Sequence, residues 1–148
     1  MGGAVTRRVA VVVPVHGNAA TLRPLAERLA AALDGRAWRL RLVIDASPDD
    51  SVAVAGALAA ADPRIAVSGL TVNVGQHAAL THGLAAEPDA DAWVCLDADL
   101  QDPPEAVPCC WTGWPPGTSA RCSPAGGGGT SPRSDGSPGT CTAGWPPG

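Results

Sequence analysis

The chain has 148 residues and carries 10 Lys or Arg against 14 Asp or Glu, which gives a net charge of −4 at neutral pH. This acidic balance excludes a general nucleic-acid binder, because phosphate contacts need a basic face. No apolar run is long enough to span a membrane, so no transmembrane segment is predicted, and the N-terminus lacks the layout of a signal peptide. We therefore expect a cytoplasmic protein in which Cys95 is a buried, reduced thiol.

The composition changes abruptly near Val107. Residues 1–107 hold 28 Val, Leu and Ile, whereas residues 108–148 hold none. At the upstream frequency the last segment would contain about 11 of these residues. The sequence therefore predicts an incomplete folded domain over 1–107, followed by a Gly/Pro/Cys/Trp-rich tail over 108–148 that does not fold.

The domain begins with a predicted strand and helix. The β-branched run Val9–Val13, ended by Pro14, is typical of a strand covered on both faces. Leucines at helical spacing then predict a helix that ends at Gly35. Because proline is tolerated only in the first turn of a helix, Pro24 indicates a start near residues 21–22.

The rest of the domain repeats this alternation, which implies a parallel α/β sheet with right-handed crossovers. In such sheets ligands lie beyond the carboxyl ends of the strands, where Pro14, Asp45 and Asp97 all fall. The sequence therefore predicts one shared site. The remaining elements are a strand at 38–44, a helix at 52–61, a strand at 64–67 with a continuation to 72 left open, a helix after residue 76 and a strand at 92–96.

Two carboxylates, Asp97 and Asp99, follow the fourth predicted strand. Strand side chains alternate between faces, so both are expected to reach one divalent cation, with Gln101 adding a neutral oxygen. Hard oxygen ligands favour Mg²⁺ or Mn²⁺ and leave positions for water or phosphate. An isolated Asp-x-Asp is a weak signal, since such pairs are usually solvated loop. Asp102 is predicted to cap a following helix, with Pro103 at its first position.

Four segments resemble the motifs of glycosyltransferase family 2. The string from Asp97 to Glu105 resembles its metal-binding signature, especially in the branch similar to dolichol-phosphate mannose synthase and bacterial polyprenyl-phosphate sugar transferases. Segments 11–18, 43–49 and 73–80 resemble its Pro-x-Tyr-Asn-Glu, Val-Asp-Asp-x-Ser-x-Asp and Asn-x-Gly-x-x-x-Ala motifs, so the resemblance covers residues 9–107. The chain departs from these motifs, with loss of polar groups that would face the nucleotide, at His16, Gly17, Asn18, Ile44 and Val72.

The resemblance implies the N-terminal portion of a Rossmann-like, GT-A type nucleotide-diphospho-sugar transferase. It implies a nucleotide-sugar donor, Mg²⁺ or Mn²⁺ as cofactor, and a metal-assisted, inverting displacement. The similarity of the string from Asp97 to Glu105 to the polyprenyl-phosphate sugar transferases implies a lipid-phosphate acceptor such as a polyprenyl phosphate. Full-length relatives often lie at the cytoplasmic face of the membrane. The implied nucleotide-sugar-binding residues are Pro14, Val43, Asp45, Asp97, Ala98, Asp99 and Gln101, of which Asp97, Asp99 and Gln101 would bind the metal.

Two other functional readings compete with an active transferase. The expected catalytic base lies beyond Val107, so the chain as written is expected to be truncated, inactive and poorly soluble, and a non-catalytic nucleotide- or metal-binding remnant is the alternative. A dinucleotide-binding oxidoreductase is disfavoured, because no Gly-x-Gly-x-x-Gly follows the first strand. The spacing of His16, His77 and His82 supports neither a metal site nor a general base, which favours ordinary loop or helix histidines.

The tail does not resemble a sequence selected to fold. Its four cysteines match no usual zinc or disulfide spacing, and its three Trp are unusual for a Gly/Pro-rich linker. The codons that could encode residues 108–116 can be translated in another reading frame, in which each codon starts at the third base of a present one. That frame gives apolar residues and good helix formers. The sequence therefore favours a frameshift at or just before Pro108, through a sequencing error or a genuine lesion.

Overall fold

The computed structural model describes residues 7–108 and 119–121. Within these ranges strands and helices alternate along the chain, and a short 3₁₀ turn follows the fourth strand. The bounds of the elements are β1 Arg8–Val15, α1 Ala19–Ala32, β2 Ala37–Asp45, α2 Ser51–Ala61, β3 Ile65–Leu70, α3 Gln76–Ala85, β4 Ala92–Cys95, the 3₁₀ turn Pro104–Ala106 and β5 Ser119–Arg121.

The strands form a parallel sheet in the order β3-β2-β1-β4-β5. The pairing of β1 with β2 ends with Val15 opposite Ile44, and its pairing with β4 ends with Val12 opposite Cys95. Because all strands run in one direction, the carboxyl ends of β1, β2 and β4 meet at one edge. The predicted parallel α/β sheet is confirmed.

Side chains of β1 alternate between two hydrophobic cores. Val11 and Val13 pack in the larger core with α1 and α2, whereas Val12 packs in a smaller core with α3. Every residue of Val9–Val13 is at most 2% exposed. A strand buried on both faces needs apolar residues at every position, which explains the continuous β-branched run.

Helix α1 begins at Ala19, earlier than the sequence predicts, and Pro24 lies inside it. The early start is explained by Asp49, whose Oδ2 accepts a hydrogen bond from the Ala19 N–H at 3.0 Å. This bond satisfies one of the free donors at the helix N-terminus from a loop 30 residues away. Pro24 leaves the carbonyl of Ala20 without its intrahelical donor, but Ala20 is exposed and water can supply that bond.

Helix α3 lies close to the sheet at Gly83. A Cβ atom at this position would overlap Val12 Cγ1 and lie 2.8 Å from Val43 Cγ2. Only a residue without a side chain therefore allows α3 to rest directly on β1 and β2. This close packing sets where the first residue of α3, Gln76, lies relative to the carboxyl ends of the strands.

The predicted cap at Asp102 is wrong by one residue. Pro103 takes the N-cap position of the 3₁₀ turn, Pro104 lies at the start of the turn and Glu105 in its first turn. The reason is the second proline: a residue that precedes proline is driven to extended backbone, and Pro103 has φ −70° and ψ 122°. Pro104 itself suits a first helical position because its φ is already fixed.

Part of the predicted non-folding tail forms a strand. Residues Ser119–Arg121 pair in parallel with β4, with Ala120 opposite Val94. The edge of β4 is therefore paired over three residues, where the sequence predicts no secondary structure and an uncovered edge. Residues 109–118 and 122–148 lie outside the described residues, so the frameshift and the tail boundary stay predictions.

Candidate functional site

A cavity of about 310 Å³ lies at the carboxyl ends of β1, β2 and β4. It forms where three loops and the start of α3 meet, which is the edge where parallel sheets bind ligands. This position agrees with the predicted shared site. The lining residues are Pro14, Val15, His16, Asn18, Asp45, Asn73, Gly75, Gln76, Asp97, Ala98 and Asp99.

The carboxylates of Asp97 and Asp99 line this cavity from a turn that we call the acidic turn, residues Asp97–Asp99. Strand β4 ends at Cys95, so strand alternation is not what places both residues at the cavity. The turn does so, and it is followed by Leu100 in the left-handed region at φ 64°. Asp99 Oδ1 also accepts a hydrogen bond from the backbone N–H of Gln101 at 3.0 Å, which closes the turn locally.

Two residues that the resemblance implies do not line the cavity. The side chain of Val43 is fully buried in the smaller core against α3. Gln101 is exposed and lies beyond the sharp change of direction at Leu100. The structure thus brings together Pro14, Asp45 and the acidic turn, but neither Val43 nor Gln101 with them.

Gln76 is a site residue that the sequence reasoning missed. It is the first residue of α3, and its Nε2 donates a hydrogen bond to Asp97 Oδ1 at 2.5 Å. The two residues are 21 positions apart, and only the packing of α3 on the sheet brings them together. The signal in the sequence is a polar residue directly after Gly75, where a helix begins beside the predicted site.

Asp45, the last residue of β2, is only 3% exposed. Its Oδ1 accepts a hydrogen bond from the Val74 N–H at 2.8 Å, and its Oδ2 accepts one from the Gly75 N–H at 2.9 Å. Gly75 has φ 88°, a conformation that favours glycine. The carboxylate therefore ties the end of β2 to the turn that begins α3, while each oxygen keeps a lone pair for a further donor.

His16 also lines the cavity, although its spacing in the sequence suggests an ordinary loop histidine. Its Nδ1 lies 2.9 Å from the carbonyl oxygen of Asp45 and 3.2 Å from Nδ2 of Asn73. A carbonyl only accepts, so the shorter contact requires the proton on Nδ1. In that tautomer Nε2 is an acceptor. The sequence signal is its position two residues after Pro14, at the end of β1.

The loops after β1 and β2, which lie beside the cavity, are joined through the Asp49 carboxylate and Ser47. Its Oδ1 accepts hydrogen bonds from the hydroxyls of Ser47 at 2.6 Å and Ser51 at 2.5 Å, and Oδ2 accepts one from the Ala19 N–H. These bonds, with that of Ser47 the strongest, hold the pKa of the Asp49 carboxyl well below its usual range. Ser47 Oγ also accepts a hydrogen bond from the Gly17 N–H at 2.7 Å, which joins the loops after β1 and β2.

The acidic turn has oxygen ligands that suit a hard divalent cation. Its two carboxylates supply oxygen ligands of the kind that Mg²⁺ and Mn²⁺ prefer. Within residues 7–108, no three His, Cys, Asp or Glu side chains gather into a self-contained metal site. Mg²⁺ commonly takes one or two carboxylates and completes its shell with water and substrate phosphate. The residues therefore fit a cation shared with a phosphorylated ligand.

The amino-acid sequence matches one family over most of the described part. Residues 10–112 match the profile of "Glycosyl transferase family 2". The chain is 39% identical over 105 residues to the undecaprenyl-phosphate 4-deoxy-4-formamido-L-arabinose transferases of Salmonella paratyphi A and Salmonella dublin, and this match covers 69% of this chain. It covers 32% of each relative, so the chain spans about a third of the length of the curated relatives it matches.

A solved structure shares the fold. It is a mannosyltransferase from Pyrobaculum calidifontis in complex with GDP-Man and Mn²⁺, with a TM-score of 0.56 and 23% sequence identity. The match covers 70% of this chain and 32% of that chain. At such a low sequence identity, the similarity shows only that the two proteins share a fold.

The parallel sheet, the helices on both of its faces and the cavity at its carboxyl edge define a Rossmann-like fold of the GT-A glycosyltransferase type. The profile match and the identity to curated transferases narrow the class further. The chain belongs to glycosyl transferase family 2, a family of enzymes. The family and the fold class predicted from the sequence are thereby confirmed.

Proposed function

We propose that the cavity binds a nucleoside-diphosphate sugar, with a Mg²⁺ or Mn²⁺ ion held by Asp97 and Asp99. The observation that carries this proposal is that Asp97 and Asp99 line one cavity with Pro14 and Asp45. Hard oxygen donors facing a cavity of about 310 Å³ suit a ligand that brings its own phosphates. The structural neighbour from Pyrobaculum calidifontis, by its description, is a complex with GDP-Man and Mn²⁺.

Different residues of this chain would contact different parts of the nucleotide-sugar donor. Pro14 and the free lone pairs of Asp45 would face the base or ribose, as the resemblance implies, with His16 beside them. The acidic turn would face the diphosphate, and Gln101, which lies outside the cavity lining, would reach a cation only by a change in the backbone after Leu100. Val43 would contribute through packing under α3 rather than by contact.

The reaction would be an inverting displacement. An acceptor oxygen would bond to the anomeric carbon as the bond to the nucleoside diphosphate breaks, and the electron pair would leave with the diphosphate. A bound divalent cation supplies Lewis-acid stabilisation of the negative charge that develops on this leaving group. Asp97 and Asp99 would hold the cation at that position, and the buried Asp45 would keep the start of α3 in place.

For the acceptor we propose a polyprenyl phosphate. The support is the 39% identity to transferases whose names specify undecaprenyl phosphate. Such an acceptor would bring the protein to a membrane surface, and we propose the cytoplasmic face. Among the helices of the described ranges, none is long and apolar enough to cross a bilayer.

The donor-binding proposal is tested by titration calorimetry with UDP, GDP, CDP and ADP, each with MnCl₂ and again with EDTA. We expect one diphosphate to bind in a manganese-dependent way. Asp97→Asn and Asp99→Asn are each expected to weaken this binding by more than about 100-fold, beyond the range typical of residues that only support a ligand. Asp89→Asn is the matched control, because Asp89 is an exposed carboxylate outside the cavity lining. Equal binding by all three variants contradicts the proposal.

We also infer that this chain carries the donor half of the site without turnover. It spans about a third of the length of its curated relatives, and the family match ends at residue 112, close to the predicted frameshift at Pro108. Resequencing the gene tests the frameshift, and an intact frame through codon 108 contradicts it. Sugar transfer to a polyprenyl phosphate with Mn²⁺ present tests the inactivity, and clear turnover by this chain disproves it.

The second candidate function is a non-catalytic binding module. The favouring observation is that, within the part of the chain that the structure describes, the residues lining the cavity all precede residue 100. Metal-dependent binding of a nucleoside diphosphate, with neither hydrolysis nor transfer even after the frame is repaired, would identify this function. Transfer by the frame-repaired protein would exclude it.

A further inference from the structure

The acidic turn is held by hydrogen bonds from two different helices. Thr21 of α1 has its Oγ1 2.5 Å from the carbonyl oxygen of Ala98. Gln76 of α3 has its Nε2 2.5 Å from Oδ1 of Asp97. The first bond joins residues 77 positions apart and the second joins residues 21 apart, so neither belongs to the local structure of the turn.

The turn needs support because it lies beyond the regular strand and is followed by a residue with strained backbone. It lies beyond Cys95, where the strand ends, so among the described residues no strand pairs with Asp97 or Ala98 in a ladder of hydrogen bonds. Leu100 follows with φ 64°, and the left-handed conformation costs a residue with a side chain about 1–2 kcal/mol. Such conformations persist where the surrounding structure determines them.

Thr21 fixes the main chain of the turn. Its hydroxyl has a single proton and two neighbouring acceptors, the carbonyl of Asn18 at 3.0 Å and that of Ala98 at 2.5 Å. Donation to Ala98 is favoured because the Asn18 carbonyl already accepts a hydrogen bond from the Thr21 N–H at 3.0 Å. Ala98 is 3% exposed and therefore has little access to water. A buried carbonyl that loses its donor costs free energy, so this bond anchors the middle of the turn to α1.

Gln76 fixes one side-chain oxygen instead. By donating to Asp97 Oδ1 it restricts rotation of that carboxylate and leaves Oδ2 for another partner. Gln76 is itself held, because the preceding Gly75 donates its N–H to Asp45 Oδ2. The contact therefore links the end of β2, through the start of α3, to the carboxylate at the end of β4.

We propose that Thr21 and Gln76 are positioning residues for the divalent cation, one through the backbone of Ala98 and the other through the carboxylate of Asp97. This inference rests on the proposed metal-dependent donor binding. Neither residue is a ligand in this scheme. Residues that orient metal ligands typically contribute about 10- to 100-fold in metal affinity.

The experiment measures manganese-dependent binding of the nucleoside diphosphate that the wild-type chain selects. Thr21→Val keeps the shape of the side chain but removes the donor, and Thr21→Ser restores it. The matched control is Thr81→Val, which also removes one hydroxyl-to-carbonyl hydrogen bond, from Thr81 Oγ1 to His77 O at 2.9 Å in α3. Gln76→Leu is compared with His77→Leu, since exposed His77 is the next residue of α3 and lies outside the cavity lining.

We expect Thr21→Val and Gln76→Leu each to weaken binding about 10-fold or more, and Thr21→Ser to stay within about threefold of wild type. Both control variants should bind as wild type does. Melting temperatures are measured alongside, so that a loss of binding in a folded variant is separated from unfolding. Equal affinity of Thr21→Val and Thr81→Val, or failure of Thr21→Ser to restore binding, overturns the inference for Thr21. Equal affinity of Gln76→Leu and His77→Leu overturns it for Gln76. Absence of metal-dependent binding by the wild-type chain overturns the proposed function itself.

A spectroscopic readout tests the Gln76 contact without metal or nucleotide. The chain has two glutamines, and exposed Gln101 serves as an internal reference for Gln76. In ¹⁵N-labelled protein the side-chain amide proton of Gln76 should resonate downfield of that of Gln101, because it donates to a carboxylate. Asp97→Ala should remove the difference. Coincident resonances in the wild-type protein contradict the contact.

Discussion

Replacing Asp45 by Asn tests whether its carboxylate holds the start of α3. The substitution keeps the size of the side chain and one acceptor oxygen, but it places an NH₂ group where the second oxygen stood. In the wild type, the two oxygens accept from the N–H groups of Val74 and Gly75 at 2.8 and 2.9 Å. In Asp45→Asn one of these N–H groups therefore faces another donor.

The expected loss follows from these two hydrogen bonds. A hydrogen bond to a charged group contributes about 1.5–3 kcal/mol, and a buried donor left without a partner costs about 1–3 kcal/mol. Asp45 is 3% exposed, so these two hydrogen bonds are largely shielded from competition by water. Relief of the buried charge offsets part of the loss. We expect the free energy of unfolding to fall by about 2–3 kcal/mol.

Urea unfolding followed by far-UV circular dichroism measures this change, with Asp89→Asn as the exposed control. The midpoint should shift to lower urea at an unchanged slope, because the surface exposed on unfolding stays the same. A difference from the control below about 0.5 kcal/mol would show that Asp45 does not hold the start of α3.

Three further predictions concern the framework of the site. Gly83→Ala should lower the free energy of unfolding by about 1–3 kcal/mol, measured by urea unfolding, because its Cβ meets Val12 and Val43; an unchanged midpoint would contradict the close packing. Ala46→Gly should raise stability by about 0.5–1 kcal/mol in the same assay, since Ala46 has φ 46° and glycine adopts this conformation without strain; a loss of stability would argue against that strain. The lowered pKa of Asp49 means that the folded state binds this proton less readily than the unfolded state, so stability should fall as the pH drops below about 4. Between about pH 4 and pH 2, the melting temperature of Asp49→Asn should fall less steeply with pH than that of the wild type. Parallel curves for the two proteins would show that the ionised Asp49 carboxylate does not stabilise the fold.

The order of elements was predictable because it depends on local chemistry. The apolar run Val9–Val13 is confirmed as a strand buried on both faces, since a central strand of a parallel sheet admits no polar alternation. Alternating strands and helices then require parallel pairing, and parallel pairing brings Pro14, Asp45 and Asp97 to one edge. That part of the site needs only connectivity and the direction of the strands.

Other errors depend on features that a hydrophobic pattern does not express. The start of α1 was missed because its cap, Asp49, lies 30 residues beyond Ala19. The two carboxylates of the acidic turn do share a cavity, but the turn rather than strand alternation brings them there. The first feature depends on a side chain from another segment and the second on the geometry of a turn. Neither can be inferred from hydrophobic periodicity.

The sequence by itself determined the family, the alternating architecture and the edge of the sheet that carries the acidic turn, because motif spacing and hydrophobic periodicity express these directly. Only the tertiary structure decided which side chains hold that turn. Thr21 and Gln76 reach it from helices on opposite faces of the sheet, across 77 and 21 positions of the chain. Hydrogen bonds of this kind form when packed elements bring a donor and an acceptor to about 3 Å from each other. That distance depends on three-dimensional packing, so it cannot be inferred from the periodicity of the sequence.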